Sequence, residues 1–342
     1  MVTRGSRITL GPLALATALI VGACTGGEAT PSAGGPAETT IFFGTGATQA
    51  EVYLLPVLTY GREALAAEGI TLEYAALSGD EVVAAALDRG RIDVALISLL
   101  GAQRAIKAGL DIRWTLTNET QNTFVLVVPG DVTDLSQLRG KKIGVQDPTS
   151  LSSVLLPALM EQAGVSQDAY ETVYLAGSGN RAAALTAGTM DATILFRAVA
   201  STLEDDTGGD FKIWGTGAPT LQPMMWEGFA MSGAFRQNKA LATKFASAAR
   251  KAYQRFYDGD PQAMAEEMLA EERPETAGLD PAEVAGDFAL YQETRLFPVD
   301  GGLDEAYFTR MNELLVEVGQ LEQDATLKYG DVVDRTFVEA TK

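Results

Sequence analysis

Catalysis draws on a short inventory of side chains, and much of it is missing here. The 342-residue chain has no histidine and one cysteine, Cys24. Without histidine the commonest general base is gone, and Cys/His nucleophile pairs go with it. Zinc sites built on histidine or cysteine lack ligands for the same reason. No Gly-x-x-x-x-Gly-Lys-Ser/Thr phosphate loop occurs. Gly44-Thr45-Gly46-Ala47 lacks the third glycine of a dinucleotide fingerprint, and Gly177-x-Gly179 is followed by Ala182. Asp and Glu total 45, yet no pair stands out by spacing. No catalytic residue, metal site or cofactor is therefore assigned. What remains is binding chemistry, and the first instance is Gly44 to Ala47, a strand-to-helix turn whose backbone amides face a ligand.

The elements that would position such turns are written twice. Ala85-Ala86-Leu87-x-x-Gly90-x-x-Asp93 recurs 98 residues later as Ala183-Ala184-Leu185-x-x-Gly188-x-x-Asp191. Each copy follows a run ending in Tyr and then Ser-Gly (Tyr74, Ser78-Gly79; Tyr174, Ser178-Gly179). Each leads into an apolar run, Val94 to Ile97 or Ala192 to Leu195. One unit, strand–helix–Gly–Asp–strand, thus occurs in two halves. That predicts two similar α/β lobes, each a mostly parallel sheet flanked by helices, with a ligand cleft between them.

The pattern places strands at Ile41–Phe43, Ile70–Tyr74, Ile92–Ile97 and Ile112–Thr117, with helices at Glu51–Glu68, Val82–Arg89 and Leu99–Ala108 between them. Ser78-Gly79-Asp80-Glu81 reads as a capping box for the second helix. Thr123–Val128 is expected to cross into a second lobe. That lobe holds strands at Lys142–Val145, Val173–Leu175, Ala192–Leu195 and Phe211–Trp214, and a helix over Ser152–Ala163. The return crossover is placed in Gly217–Met231. Asp260-Pro261 and Asp280-Pro281 open helices that pack back on the first lobe. The expected division is 1–23 signal, 24–40 tether, 41–125 and 228–342 lobe I, and 126–227 lobe II.

Length and composition fit about two domains of an ordinary globular chain. The formal charge of −19 argues against nucleic acid and anionic membrane surfaces as partners. Arg4 and Arg7 precede an apolar run, Leu10 to Val21, too short to span a bilayer. It closes with Val21-Gly22-Ala23-Cys24, similar to a bacterial lipobox, so Cys24 is the expected lipidation site. The Gly/Pro/Ser/Thr/Ala-rich stretch after it reads as a flexible tether. The expected location is extracytoplasmic, anchored to the membrane by lipid alone.

Asp134-Leu-x-x-Leu-Arg-Gly-Lys-Lys-Ile-Gly-Val145, a Thr/Ser-rich loop with a helix, and then Ala-Ala-Leu-x-x-Gly-x-x-Asp-Ala192 resemble the solute-binding proteins of ABC importers. Among these the chain is most similar to the nitrate, taurine, alkanesulfonate and thiamine-precursor binders, from about Ile41 to Ala200. The resemblance implies a hinged, two-lobe type II periplasmic-binding fold, a monomer that hands its ligand to a membrane permease. Carried over by position, it implies ligand contacts at Gly44, Thr45, Gly46, Ser98, Thr149, Ser150 and Ser152, where helix N-termini favour anions. Each hydroxyl serves equally well as a plain helix cap.

The family commonly has a Trp-Glu-Pro-like phrase where this chain reads Phe196-Arg197-Ala198. Arg197 is therefore a candidate fork for a sulfonate or carboxylate, or else a surface partner of Glu204 or Asp205. Trp226 is the candidate aromatic wall, or a hinge-packing residue. Glu227 beside it favours an amine instead. The ligand expectation is a small organic anion, with a thiamine-precursor pyrimidine or another heterocycle as the alternative. A pyrimidine-synthesis enzyme on the same fold is disfavoured, because that branch depends on a histidine and a cysteine-rich segment.

Overall fold

The computed structural model describes residues 39–46, 51–77, 79–215 and 223–341. The signal region, Cys24, Ser78 and Pro219 lie outside these residues, as do all but the last two residues of the tether.

Short apolar runs between glycine turns form ten strands. β1 (Thr39–Thr45), β2 (Ile70–Ala76), β3 (Val94–Ser98), β4 (Ile112–Thr117) and β10 (Glu227–Ser232) make one sheet in the order β2-β1-β3-β10-β4. β5 (Phe124–Pro129), β6 (Lys142–Val145), β7 (Glu171–Tyr174), β8 (Ala192–Phe196) and β9 (Phe211–Trp214) make the other, β7-β6-β8-β5-β9. The two orders are the same under the repeat. In each sheet the strand in fourth place runs antiparallel to its neighbours, and the other four share a direction. That odd strand is the one that arrives by crossover: β5 enters the second sheet and β10 returns to the first. We call the bodies built on these sheets lobe I and lobe II.

The helices are α1 (Arg62–Ala66), α2 (Asp80–Asp88), α3 (Leu99–Lys107), α4 (Leu151–Gln162), α5 (Ser178–Thr186), α6 (Arg197–Asp206), α7 (Gly233–Gln237), α8 (Lys239–Asp258), α9 (Pro261–Leu269), α10 (Pro281–Thr294), α11 (Glu305–Glu317), α12 (Tyr329–Val332) and α13 (Thr336–Glu339). α1 completes a helical stretch that starts at Val52 and passes through a π-helical turn at Val57–Gly61. Asp260 and Asp280 cap α9 and α10, each with proline in the first turn, as expected.

Three boundaries differ from the sequence reading. Thr39 and Thr40, assigned to the tether, belong to β1, where they pair with Ile70 and Thr71. The sheet of lobe II takes the chain from Phe124, and Glu227 is back in the sheet of lobe I opposite Ser98. The helix expected at Val82 starts at Asp80, and its N-cap is Gly79 at φ 86° with no side-chain cap bond. Gly177, 98 residues on, does the same for α5 at φ 83°. A left-handed backbone at both caps suits glycine, which carries no Cβ to clash.

The cores divide unequally. Lobe I buries Phe43, Phe229 and Phe245 in one aromatic cluster with ring centroids 5.6–6.3 Å apart. Each such side chain contributes about 1.5–3 kcal/mol by leaving water. The C-terminal helices α8 to α13 pack onto this core. α4 is apolar on two sides: Leu151, Val154, Leu155 and Ala158 join the lobe I core, while Leu156 and Met160 join that of lobe II. The lobes therefore meet through a helix as well as through two strands.

Candidate functional site

A cavity of about 120 Å³ opens between the lobes at the C-terminal ends of β1, β3, β4, β6 and β8. Open α/β sheets place ligands at such strand ends. Lobe I contributes Thr45, Gly46, Glu51, Tyr53, Asp80, Ser98, Glu119, Trp226 and Glu227; lobe II contributes Phe124, Gln146, Asp147, Thr149, Ser150 and Phe196. Phe124 and Phe196 stack at 4.1 Å between centroids, 24° apart in plane. β5 and β8 are antiparallel and bring these two residues into register, which is why the rings meet.

Of the residues expected at the site, Thr45, Gly46, Ser98, Thr149, Ser150 and Trp226 line the cavity. Gly44, Ser152 and Arg197 are not among its lining residues. Gly44 is a packing glycine, since a Cβ there would stand 2.8 Å from Ile92 Cδ1. Ser152 is fully buried, accepting from the Gln146 amide at 3.0 Å and sharing a 2.8 Å bond with Ser150 Oγ. Arg197 starts α6 one residue beyond the cavity wall, with its amide donating to Thr123 O.

Two of the hydroxyls expected at the site, those of Ser98 and Thr149, donate to carboxylates of the chain itself. Ser98 caps α3, accepting from Gly101 N at 2.9 Å, and donates its own proton to Asp80 Oδ2 at 2.5 Å. The Asp80 carboxylate lies so close over α3 that a Cβ on Gly101 would collide with it. Asp80 also stands in the first turn of α2. At α4, Asp147 Oδ1 accepts from Thr149 N and Thr149 Oγ1, each at 2.8 Å, and Asp147 O takes the Ser150 hydroxyl at 2.9 Å.

Five carboxylates and no lysine or arginine are found among the described residues that line the cavity. Glu227 Oε2 accepts from Tyr53 OH at 2.8 Å. Burial first, and then the charges of Asp80 and Asp147, push Glu227 up to about 8. Glu119 is raised well above the usual carboxylate range by burial and by Glu227 and Glu51. Glu51 is raised by burial and by Glu227 and Asp147. Burial likewise raises Asp80, against its bonds to Ser98. These are like charges sharing one poorly hydrated space.

Glu51, Asp80, Glu119 and Asp147 were not singled out from the sequence. The one available signal was position: Asn118-Glu119-Thr120 is a polar run directly after β4, at the ligand end of the sheet.

Two sheets of identical strand order, exchanging crossover strands around one cavity, define a two-lobe periplasmic-binding fold. Residues 65–263 match the family described as NMT1/THI5 like, and the chain belongs to it. No curated protein sequence matches. Solved structures share the fold. The alkanesulfonate-binding protein SsuA from Xanthomonas axonopodis pv. citri, bound to MOPS, is 18% identical with a TM-score of 0.65, over 86% of this chain and 98% of that one. The periplasmic nitrate-binding protein NrtA from Synechocystis PCC 6803 is 12% identical with a TM-score of 0.69, over 90% and 89%. A ligand-binding component of an ABC-type import system from Staphylococcus aureus, with zinc bound, is 14% identical with a TM-score of 0.69, over 89% and 99%. The fold expected from the repeated phrase is the fold observed.

Proposed function

We propose that this protein is the extracytoplasmic solute-binding component of an ABC importer. It captures a small organic molecule between its lobes and presents the closed form to a membrane permease. The observation that carries this reading is the cavity itself, walled by both lobes where the chain crosses between them. Binding that needs both walls favours the closed arrangement over the open one, and that difference in affinity drives closure. The volume, about 120 Å³, is below the roughly 300–1,000 Å³ of drug-sized sites and suits a small solute. Among the described residues no helix is long and apolar enough to cross a membrane. Anchoring is assigned to lipid on Cys24, with the protein acting as a monomer.

A binder is favoured over an enzyme because the chain has no histidine and only one cysteine. The anionic ligand expected from Arg197 and the helix ends is the weaker reading, since Arg197 is not among the lining residues and the Asp80 and Asp147 carboxylates stand beside Ser98 and Thr149. The stacked Phe124 and Phe196, with Trp226, favour a ligand with a flat or apolar face as a second reading.

The test is small-angle scattering and thermal melting of the purified full-length protein with the small-molecule fraction of a cell extract. Compaction together with a raised Tm supports capture by closure. A raised Tm without compaction removes the closure step, and no response removes the solute-binding reading. Mass spectrometry of a Cys24→Ser variant, expected to lose its lipid and leave the membrane, tests the anchor.

A further inference from the structure

We propose that the cavity takes a small organic cation bearing N–H donors, held by Glu51, Glu119 and Glu227. This rests on the solute-binding reading and adds the chemical class. Glu119 is only 6% exposed, lines the cavity, and accepts no hydrogen bond among the described residues. Glu51, half-buried on the same wall, likewise accepts no hydrogen bond among the described residues. Glu227 has Tyr53 on one oxygen only. A buried carboxylate left without donors is costly, and natural structures satisfy such groups with a partner or a ligand.

The neighbouring acids sharpen the assignment. Asp80 and Asp147 already accept from Ser98 Oγ and from Thr149 N and Oγ1, and they add negative potential to the cavity. What the three glutamates lack is positive charge with several N–H groups. A metal ion is the other cation of that charge, but no group of three or more carboxylates among the described residues is arranged to hold one. An extended donor set, such as a primary ammonium or an amidinium, reaches separated carboxylates as a point ion does not. Trp226, Phe124 and Phe196 then cover its carbon side, and an aromatic face itself attracts a cation.

The test uses purified full-length protein near pH 8, with thermal melting and calorimetry. One arm holds methylammonium, ethanolamine, guanidinium and benzamidine; a second holds nitrate, methanesulfonate and acetate. A third holds tetramethylammonium, zinc and calcium, and a fourth the small-molecule fraction of a cell extract. The expected result is a raised Tm in the first arm only or together with the extract. Glu119→Gln and Glu51→Gln should each weaken that binding about tenfold or more while the ligand-free protein still melts cooperatively. A shift confined to the anions, to the metals or to tetramethylammonium overturns the cation assignment and leaves solute binding intact. A shift with the extract that Glu119→Gln and Glu51→Gln leave unchanged does the same. Silence in every arm overturns both.

Discussion

Asp93 and Asp191 perform the same task in different sheets. Asp93 Oδ2 accepts from the Phe42 amide at 2.9 Å, and Asp191 Oδ2 accepts from the Lys142 amide at 2.8 Å. The backbone answers in kind, with Asp93 N donating to Phe42 O and Asp191 N to Lys142 O. Each aspartate thus ties the residue just before one strand, β3 or β8, to the parallel strand beside it, β1 or β6. The last residue of the repeated phrase is a staple rather than a ligand contact. Their titration differs all the same. Burial raises Asp93, whereas Asp191 is lowered by the Lys142 amide bond and by Lys141 and Lys142.

Asp191→Ala should therefore destabilise the protein by about 1–2 kcal/mol at neutral pH. A depressed folded-state pKa adds stability above the unfolded value, and that stability is lost as pH falls through the folded value. Urea unfolding should show the gap between variant and parent closing toward pH 3 and below. For Asp93 the sign is reversed, since its folded pKa is raised.

The glutamate cluster gives the ligand-free protein an unusual pH profile. Glu51, Glu119 and Glu227 are raised in the folded state, so their contribution is full below the ordinary value of 4.5 and declines as pH rises through the raised values, about 8 for Glu227. Glu119→Gln should flatten this decline and stabilise the ligand-free form by about 1–2 kcal/mol near pH 8. Denaturant curves at pH 5, 6.5 and 8 would check it, and parallel profiles for parent and variant would refute it.

Arg197→Ala should leave ligand affinity within about twofold, because the side chain begins a helix outside the cavity wall. Phe196→Ala removes the ring stacked on Phe124 and should weaken binding about tenfold. Calorimetry on the two variants side by side separates these outcomes.

Gly228 sits in β10 under the indole of Trp114, which is fully buried and donates to Leu116 O at 2.8 Å. A Cβ at 228 would collide with the indole ring. Gly228→Ala should cost about 3 kcal/mol or more and lower the yield of folded protein, measured by urea unfolding and near-ultraviolet dichroism.

Much of the fold was legible because its signals are local. The Gly90 and Gly188 turns, the alternation of short apolar runs and the Asp-Pro helix starts each depend on a few adjacent residues. The antiparallel place of β5 and β10 was not legible, since it depends on which strands flank a crossover. The site divides in the same way. Thr45, Gly46, Ser98, Thr149 and Ser150 mark strand and helix ends that the family resemblance carried over by position. Glu51, Glu119 and Glu227 meet only once distant segments of lobe I fold together, and Asp147 joins them from lobe II; of these four only Glu227 was marked in the sequence, beside Trp226. The hydroxyls of Ser98 and Thr149 donate to carboxylates of the chain, that of Ser150 to the Asp147 carbonyl, and Thr45 pairs with Tyr74 OH.

The exchange of crossover strands sets an order of assembly. β5 to β9 follow one another without interruption, so the second sheet can complete itself as soon as residue 214 is free. The first sheet cannot. Between β3 and β4 it needs β10, which lies more than a hundred residues downstream, and until then both strand edges stay unpaired. A chain that emerges from its N-terminus must keep half of its first lobe waiting, exposed to wrong partners, while the second lobe folds. The lobe that begins the protein is the last to be finished.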